Sequence, residues 1–354
     1  MKVVLVSTLE RGGPVVHMQL LARDLVRAGA TVRAVVATDA IAARFDEAGA
    51  DPVVAGADGA RSLARCCRGF DVVHSHDRRS GLRTLGSLRP PARVRIHSLH
   101  GLPEPYLPVP GKRRPSLRDH LAYRIVEPTL LRRADAVIAP SDAAARLAVS
   151  LGHRAERLVV VPNGVDVGAT KRVDGALLVG LIAALEPVKG VDVFLRAAAA
   201  LHQEDESRRF VVAGDGTAMP SLRALAHELG LDDAVRFAGH VPSPEVLAQL
   251  GVLVVSSHFE TSSLAMLEAM AAGVPVVATR AGGIVEQAPT CAMTLVSPGD
   301  PAALAAAVSA TLRDPDAAGA RAALARRHVE QERSSAQTAR EVAAVYRSAL
   351  DRAR

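Results

Sequence analysis

Aromatic side chains are nearly missing from this chain: there is no Trp, and three Tyr and six Phe bring the aromatic share to 3% of 354 residues. Single-strand nucleic-acid binders stack bases on aromatic platforms, so nucleic acid is not expected as a partner, although the net charge is +6. Cysteine is scarce too. Cys66 and Cys67 are adjacent and Cys291 is remote, which makes neither a disulfide framework nor a zinc-ligand spacing and points to a reducing compartment. No segment approaches the roughly 20 consecutive apolar residues of a membrane span, and the opening MKVVLVSTLERGG has too short an apolar run for a secretory leader. The expectation is a cytoplasmic protein without its own membrane anchor.

What is present is aliphatic and alternating. Apolar residues make up 49% of the chain, ample for two cores at about twice the usual domain length. Short apolar runs start at Val3, Val32, Asp71, Val94, Asp135 and Arg157, and a second series starts at Ala176, Arg209, Ala234, Gly251, Val274 and Ala292. Helical stretches separate them, a βα alternation that argues for parallel sheets. The pattern predicts an α/β protein of two Rossmann-like doubly wound domains, residues 1–166 and 167–335, with the turn-rich VPNGVDVGATKRVDG from Val161 as linker. Ser334 and Ser335 can cap a last helix whose apolar stripe is Val342, Val345, Tyr346, Ala349 and Leu350. Charge is uneven: 25 basic and 16 acidic residues up to Asp166, but 18 and 21 beyond it, so the halves carry +9 and −3. An anionic ligand or surface on the first side follows.

The most informative stretch is SSHFETSSLAMLEAMAAG, from Ser256 to Gly273. The run GVLVVS leads into it, so Ser256 to Ser263 reads as the loop at the carboxyl end of a buried strand, where open α/β sheets bind ligands. From Leu264 the residues are strong helix formers, and Gly273 followed by Pro275 is a stop signal. A helix start there offers free N–H groups and a positive dipole end to a diphosphate, and Glu268 on its second turn offers two acceptors to a vicinal diol such as a ribose.

Glu260 and Glu268 in this spacing closely resemble the Glu-x7-Glu motif of retaining glycosyltransferases of family 4, which have the GT-B fold, and the resemblance runs from residue 1 to the C-terminus. It implies two Rossmann-like domains facing across a cleft, with helix 336–354 crossing back to the first, although packing on its own domain is equally open. It also implies Glu268 on the nucleotide ribose and Glu260 beside the sugar ring, with Ser263 and Leu264 at the phosphate-binding helix start. In VGLIAALEPVKG the family carries an Arg and, five residues on, a Lys that reach the donor diphosphate; Lys189 is present, but Ala184 holds the Arg position. Thr261 stands where the family usually has Gly. Gly214 in FVVAGDG resembles a turn bordering the donor, and His240 and Val241 fall in the loop whose main chain reads the nucleobase. The implied reaction is retaining transfer of a hexose-type sugar from a nucleotide-diphosphate sugar to a hydroxyl acceptor, with no metal and no other cofactor. The spelling Asp314-Pro315-Asp316 matches the D-x-D of metal-dependent transferases but lies amid helix ends and reads as a surface turn.

In the first half, Gly12 and Gly13 precede an amphipathic helix, and the G-x-G-x-x-G spacing of dinucleotide enzymes is missing. The pair resembles the family's phosphate-covering loop, with His17 at a position that is often polar. HSLHG places His100 where the family's histidine lies over the donor sugar. The residues themselves allow another reading: His74, His76, His97 and His100, with Asp77, could ligate zinc or iron in a hydrolase. A donor-binding homologue disabled at Ala184 and a GT-B epimerase are the remaining alternatives. Finally, residues 110–133 combine Lys112, Arg113, Arg114, Arg118, Arg124, Arg132 and Arg133 with Leu117, Leu121 and Ile125 on one helix face. Such a segment either packs on its domain or lies on an anionic membrane that presents the acceptor.

Overall fold

The computed structural model describes residues 1–54, 59–86, 92–112, 114–168, 170, 172–173 and 175–354. Arg113 and, in the linker, residues 169, 171 and 174 therefore lie outside the described residues. The chain divides into two compact units: Met1–Tyr106, Arg113–Gly164 and Ser335–Arg354 form the first, Leu107–Lys112 and Val165–Ser334 the second.

In the first unit, β1 (Lys2–Val6), β2 (Thr31–Val36), β3 (Asp51–Val54), β4 (Val72–Ser75), β5 (Val94–Ser98), β6 (Ala136–Ala139) and β7 (Leu158–Val160) make a parallel sheet in the order 3-2-1-4-5-6-7. Six of these are the predicted runs. β3 is the exception, since Asp51-Pro52 reads as a turn; it sits at the sheet edge, paired only to β2, where a missing N–H costs no ladder bond. The central strands β1, β4, β5 and β6 are largely buried, as their aliphatic runs require, while the edge strands β3 and β7 are partly exposed. Val3, Leu5 and Ile96 share a core with Met18, Leu21 and Leu25 of the helix Gly13–Arg27. The last helix, Ser335–Arg352, adds Val342, Val345, Tyr346 and Ala349 to that same core. Tyr346 is fully buried, and its hydroxyl lies 2.6 Å from His74 Nδ1, so the ring contributes apolar area without an orphaned polar atom.

In the second unit, β8 (Leu178–Ile182), β9 (Phe210–Ala213), β10 (Val235–Gly239), β11 (Leu250–Val255), β12 (Val276–Thr279) and β13 (Thr294–Val296) are also all parallel, in the order 10-9-8-11-12-13. Both sheets thus reverse direction once, beside β1 and β4 in one and beside β8 and β11 in the other. Loops leaving neighbouring strands at such a reversal run to opposite faces and open a crevice at the strands' carboxyl ends. Among the described residues no helix is long and apolar enough to cross a membrane.

Candidate functional site

The candidate residues fall into two groups, one in each unit. In the second unit, β11 is buried along its whole length and ends at Val255, and the chain then runs through a loop from Ser256 to the helix Leu264–Ala271. Ser263 caps that helix, its hydroxyl accepting from Met266 N at 3.3 Å. A set of hydrogen bonds fixes the loop. Ser256 Oγ donates to Lys189 O (3.1 Å), His258 N to Val188 O (2.8 Å), Thr279 Oγ1 to Ser257 O (2.6 Å) and Gly283 N to Glu260 O (2.7 Å). The Gln287 amide completes the set, accepting from Ser263 N at 2.8 Å and donating to Ser262 Oγ and Ser263 O, both at 3.1 Å. Gly282, at φ 55°, lets the next turn lie directly on the loop, for a Cβ there would overlap the Glu260 carbonyl oxygen.

Inside this frame Glu260 is buried, and its Oε1 accepts from Lys189 Nζ at 2.6 Å and from Ser257 Oγ at 3.0 Å. Lys189 ends the short turn Pro187–Lys189 that follows β8, so the topological reversal is what brings a cation and a carboxylate 71 positions apart into contact. Glu268 projects from the second turn of the helix. Burial pushes its carboxyl above the ordinary glutamate range, and nearby Asp166 pushes the same way, while a hydrogen bond from Ser243 opposes both. Gly214 follows β9 with φ 134°, and a Cβ on it would overlap the Ala183 carbonyl, so the turn after β8 can close only on glycine. Its N–H bonds Gly239 O at 2.7 Å, next to the exposed His240 and the half-buried Val241. Ala184 is exposed on the loop after β8.

In the first unit, Gly12 and Gly13 open the helix Gly13–Arg27, with Val15 N and Val16 N both bonded to the Gly12 carbonyl. His17, one turn in, is buried, and its ring centroid is 4.8 Å from that of His100 and 5.8 Å from that of His76. His76 Nδ1 and His100 Nε2 are 3.2 Å apart, a hydrogen bond between a protonated and an unprotonated ring nitrogen. Burial, reinforced by neighbouring imidazoles, holds His76 and His100 well below the usual histidine range, and burial lowers His17 to about 4. All three are therefore neutral near pH 7, each ring nitrogen acting as a donor or as an acceptor according to the tautomer.

The metal set that the hydrolase alternative requires is not assembled among the described residues. His74 is held by Tyr346 and, at 2.8 Å, by Ser98 Oγ; His97 turns to the opposite face, 2.8 Å from Ser75 Oγ, as alternation along β5 dictates. Asp77 caps the helix Arg78–Leu85 and accepts from Ser80 N (2.9 Å), Thr8 N (2.6 Å) and Thr8 Oγ1 (2.8 Å). Burial raises its carboxyl, but these bonds outweigh that and leave it lowered, in a structural role. Among the described residues only His17, His76 and His100 bring three possible ligand atoms within 4.8 Å, and no carboxylate joins them. Asp314 likewise caps a helix, accepting from Ala317 N at 3.0 Å, as a turn residue would. Sequence reasoning passed over Gln287, Ser257, Ser243 and Thr279. Gln287, Ser243 and Thr279 act from other elements and Ser257 from within the loop itself, and none stands at a spacing that would single it out.

Two family models match, one described as Glycosyltransferase Family 4 over residues 11–169 and one as Glycosyl transferases group 1 over residues 175–314. A D-inositol 3-phosphate glycosyltransferase of Thermobispora bispora is 33% identical over 317 residues, covering 80% of this chain and 72% of that protein. The chain belongs to glycosyltransferase family 4. A glycogen synthase of Mycobacterium tuberculosis is 34% identical over 235 residues, which cover 63% of this chain and 56% of that enzyme. This family 4 chain thus spans little more than half of the synthase. Among solved structures, Anabaena HepE in complex with UDP-glucose superposes with a TM-score of 0.85 at 21% identity, over 98% of this chain and 100% of that one. Sucrose-phosphate synthase of Thermosynechococcus elongatus superposes at 0.79 and 20% identity, over 99% of both chains. These likenesses establish the GT-B fold of this glycosyltransferase.

Proposed function

We propose that this family 4 member transfers a sugar from a nucleotide-diphosphate sugar to a hydroxyl acceptor, with retention at the anomeric carbon and without a metal ion. The observation that carries the reading is the Lys189–Glu260 pair at 2.6 Å, held at the carboxyl ends of β8 and β11 beside the start of the helix Leu264–Ala271. That arrangement supplies a cation and a helix dipole to the departing diphosphate and carboxylate acceptors to sugar and ribose hydroxyls. The UDP-glucose held by Anabaena HepE, whose fold this chain shares, supports a donor of this chemical class.

In the proposed step the acceptor oxygen bonds to the anomeric carbon from the face that the diphosphate leaves, the bond from that carbon to the phosphate oxygen breaks, and the hydroxyl proton passes to a phosphate oxygen. Lys189 neutralises charge on the leaving group, Glu260 orders Lys189 and accepts from the sugar, and Glu268 accepts from the ribose. Gly12, Gly13 and His100 take the phosphate-covering and sugar-facing roles that the family implies, and the main chain at Gly214, His240 and Val241 borders the donor base.

The test is release of nucleoside diphosphate from a panel of UDP, GDP and ADP sugars with simple hydroxyl acceptors, with the anomeric configuration of the product read by NMR. Turnover that survives chelator and yields a retained product supports the proposal. An inverted product, or turnover abolished by chelator and restored by a divalent ion, contradicts it.

A further inference from the structure

A continuous helical run in the first unit leaves its apolar face to solvent. It begins at Leu117, passes through a π-helical stretch at Leu121–Val126 and ends at Leu131. Pro128 accounts for the irregularity, because it has no N–H to give Arg124 O and its ring crowds that carbonyl. The run buries Pro128 and Leu131, yet Leu117, Leu121, Ile125 and Val126 are 84%, 54%, 58% and 42% exposed. The spacing of the first three puts them on one stripe. An apolar stripe left in water, against the packing that one reading of the sequence predicted, marks a contact surface.

The charges around the stripe say what it contacts. Arg114, Arg118 and Arg124 are exposed beside it. The two acids in the run are already engaged: Asp119 accepts from Ser116 N (2.7 Å) and Ser116 Oγ (2.6 Å) in the N-terminal capping box, and Glu127 pairs with Arg78 at 2.6 Å. The outward face is therefore apolar along its middle and cationic at its flanks. Two of the chain's three tyrosines lie at the same place, Tyr106 against His120 and Tyr123 under the Arg78 guanidinium. An apolar ridge, guanidinium groups that can reach outward, and amphipathic rings together match a bilayer boundary with anionic headgroups.

We propose that the Leu117–Leu131 run is a docking surface for an anionic lipid bilayer, with Leu117, Leu121 and Ile125 entering the acyl boundary and Arg114, Arg118 and Arg124 on headgroup phosphates. The inference stands apart from the donor reading, since no residue in it belongs to either candidate site group.

The test is sedimentation of the full chain with vesicles of phosphatidylcholine alone and with one third phosphatidylglycerol, at low and high salt. Binding should require the anionic lipid and fade with salt. Replacing Arg114, Arg118 and Arg124 by Gln should weaken it by about fivefold per arginine. The combined Leu117→Ser, Leu121→Ser and Ile125→Ser variant should stay in the supernatant while its melting temperature and donor-induced thermal shift match the parent. Absence of binding to anionic vesicles at low salt would overturn the proposal, as would equal binding to neutral vesicles. Retention of binding by the serine variant would do the same. A concentration-dependent dimer that the serine variant abolishes, without any vesicle binding, would assign the stripe to a second copy instead.

Discussion

The two sheets share one strand order through their first six strands, yet the ends of β4 and β5 carry neutral imidazoles while the ends of β8 and β11 carry a full charge pair. The difference teaches where chemistry enters a repeated fold. The reversal of strand order provides the opening in both units, and the residue type that follows each strand decides what the opening can hold. In the second unit a lysine and a glutamate pair with one another, and Ser257 adds a second donor to the carboxylate, an arrangement that would suit a phosphate charge as proposed above. In the first, burial strips the proton from His17, His76 and His100, an arrangement suited to hydroxyl groups.

Removing the cation breaks this contrast most severely. Lys189→Met should lower turnover by about a hundredfold to a thousandfold and leave Glu260 as a buried carboxylate, at a cost on the order of 3 kcal/mol in stability. Adding Glu260→Gln should recover most of the melting temperature and none of the activity, which separates folding from chemistry. Next comes Glu268, the proposed ribose acceptor. Glu268→Gln should weaken donor binding by roughly ten- to a hundredfold, the range of a hydrogen bond to a charged group. Because burial raises the Glu268 carboxyl, its ionised form destabilises the fold, and that penalty grows as pH rises through its raised pKa. Calorimetry at alkaline pH should therefore find the Gln variant at least as stable as the parent, while donor affinity in the parent falls as acidification protonates the group.

How far the sequence carried is clearest from particular elements. Twelve of the thirteen strands among the described residues stood out as runs rich in aliphatic residues, because the middle of a parallel sheet is covered on both faces. β3 did not, since an edge position tolerates the Asp-Pro that elsewhere signals a turn. Glu260 and Glu268 stood out through one motif and Lys189 through a separate segment, VGLIAALEPVKG, and the structure brings Lys189 and Glu260 into contact. The Gln287 clamp and the Ser243 contact were not, because they come from neighbouring elements whose registration only packing determines. The histidines show the intermediate case: alternation along β5 separates His97 from His100, but nothing local places His17 beside them.

The first unit should respond more mildly. Tyr346→Phe strips the hydroxyl from His74 and leaves a buried ring nitrogen unsatisfied, which costs about 1–3 kcal/mol and should appear as a lower melting temperature with donor affinity unchanged. The smallest expected change is a gain. Ala184→Arg restores a guanidinium to the exposed loop after β8 and should raise turnover, up to about tenfold for one charge-assisted contact; unchanged or reduced turnover would show that the site has adapted to its absence.

The central claim is that a nucleotide sugar is held at the loop Ser256–Ser263 and the helix that follows it. Titration calorimetry of the UDP, GDP and ADP sugars against the parent and Glu268→Gln tests it most directly. The account predicts saturable binding of at least one base class by the parent and weakened binding by the variant. No binding of any nucleotide sugar, or equal affinity in the two proteins, would contradict it.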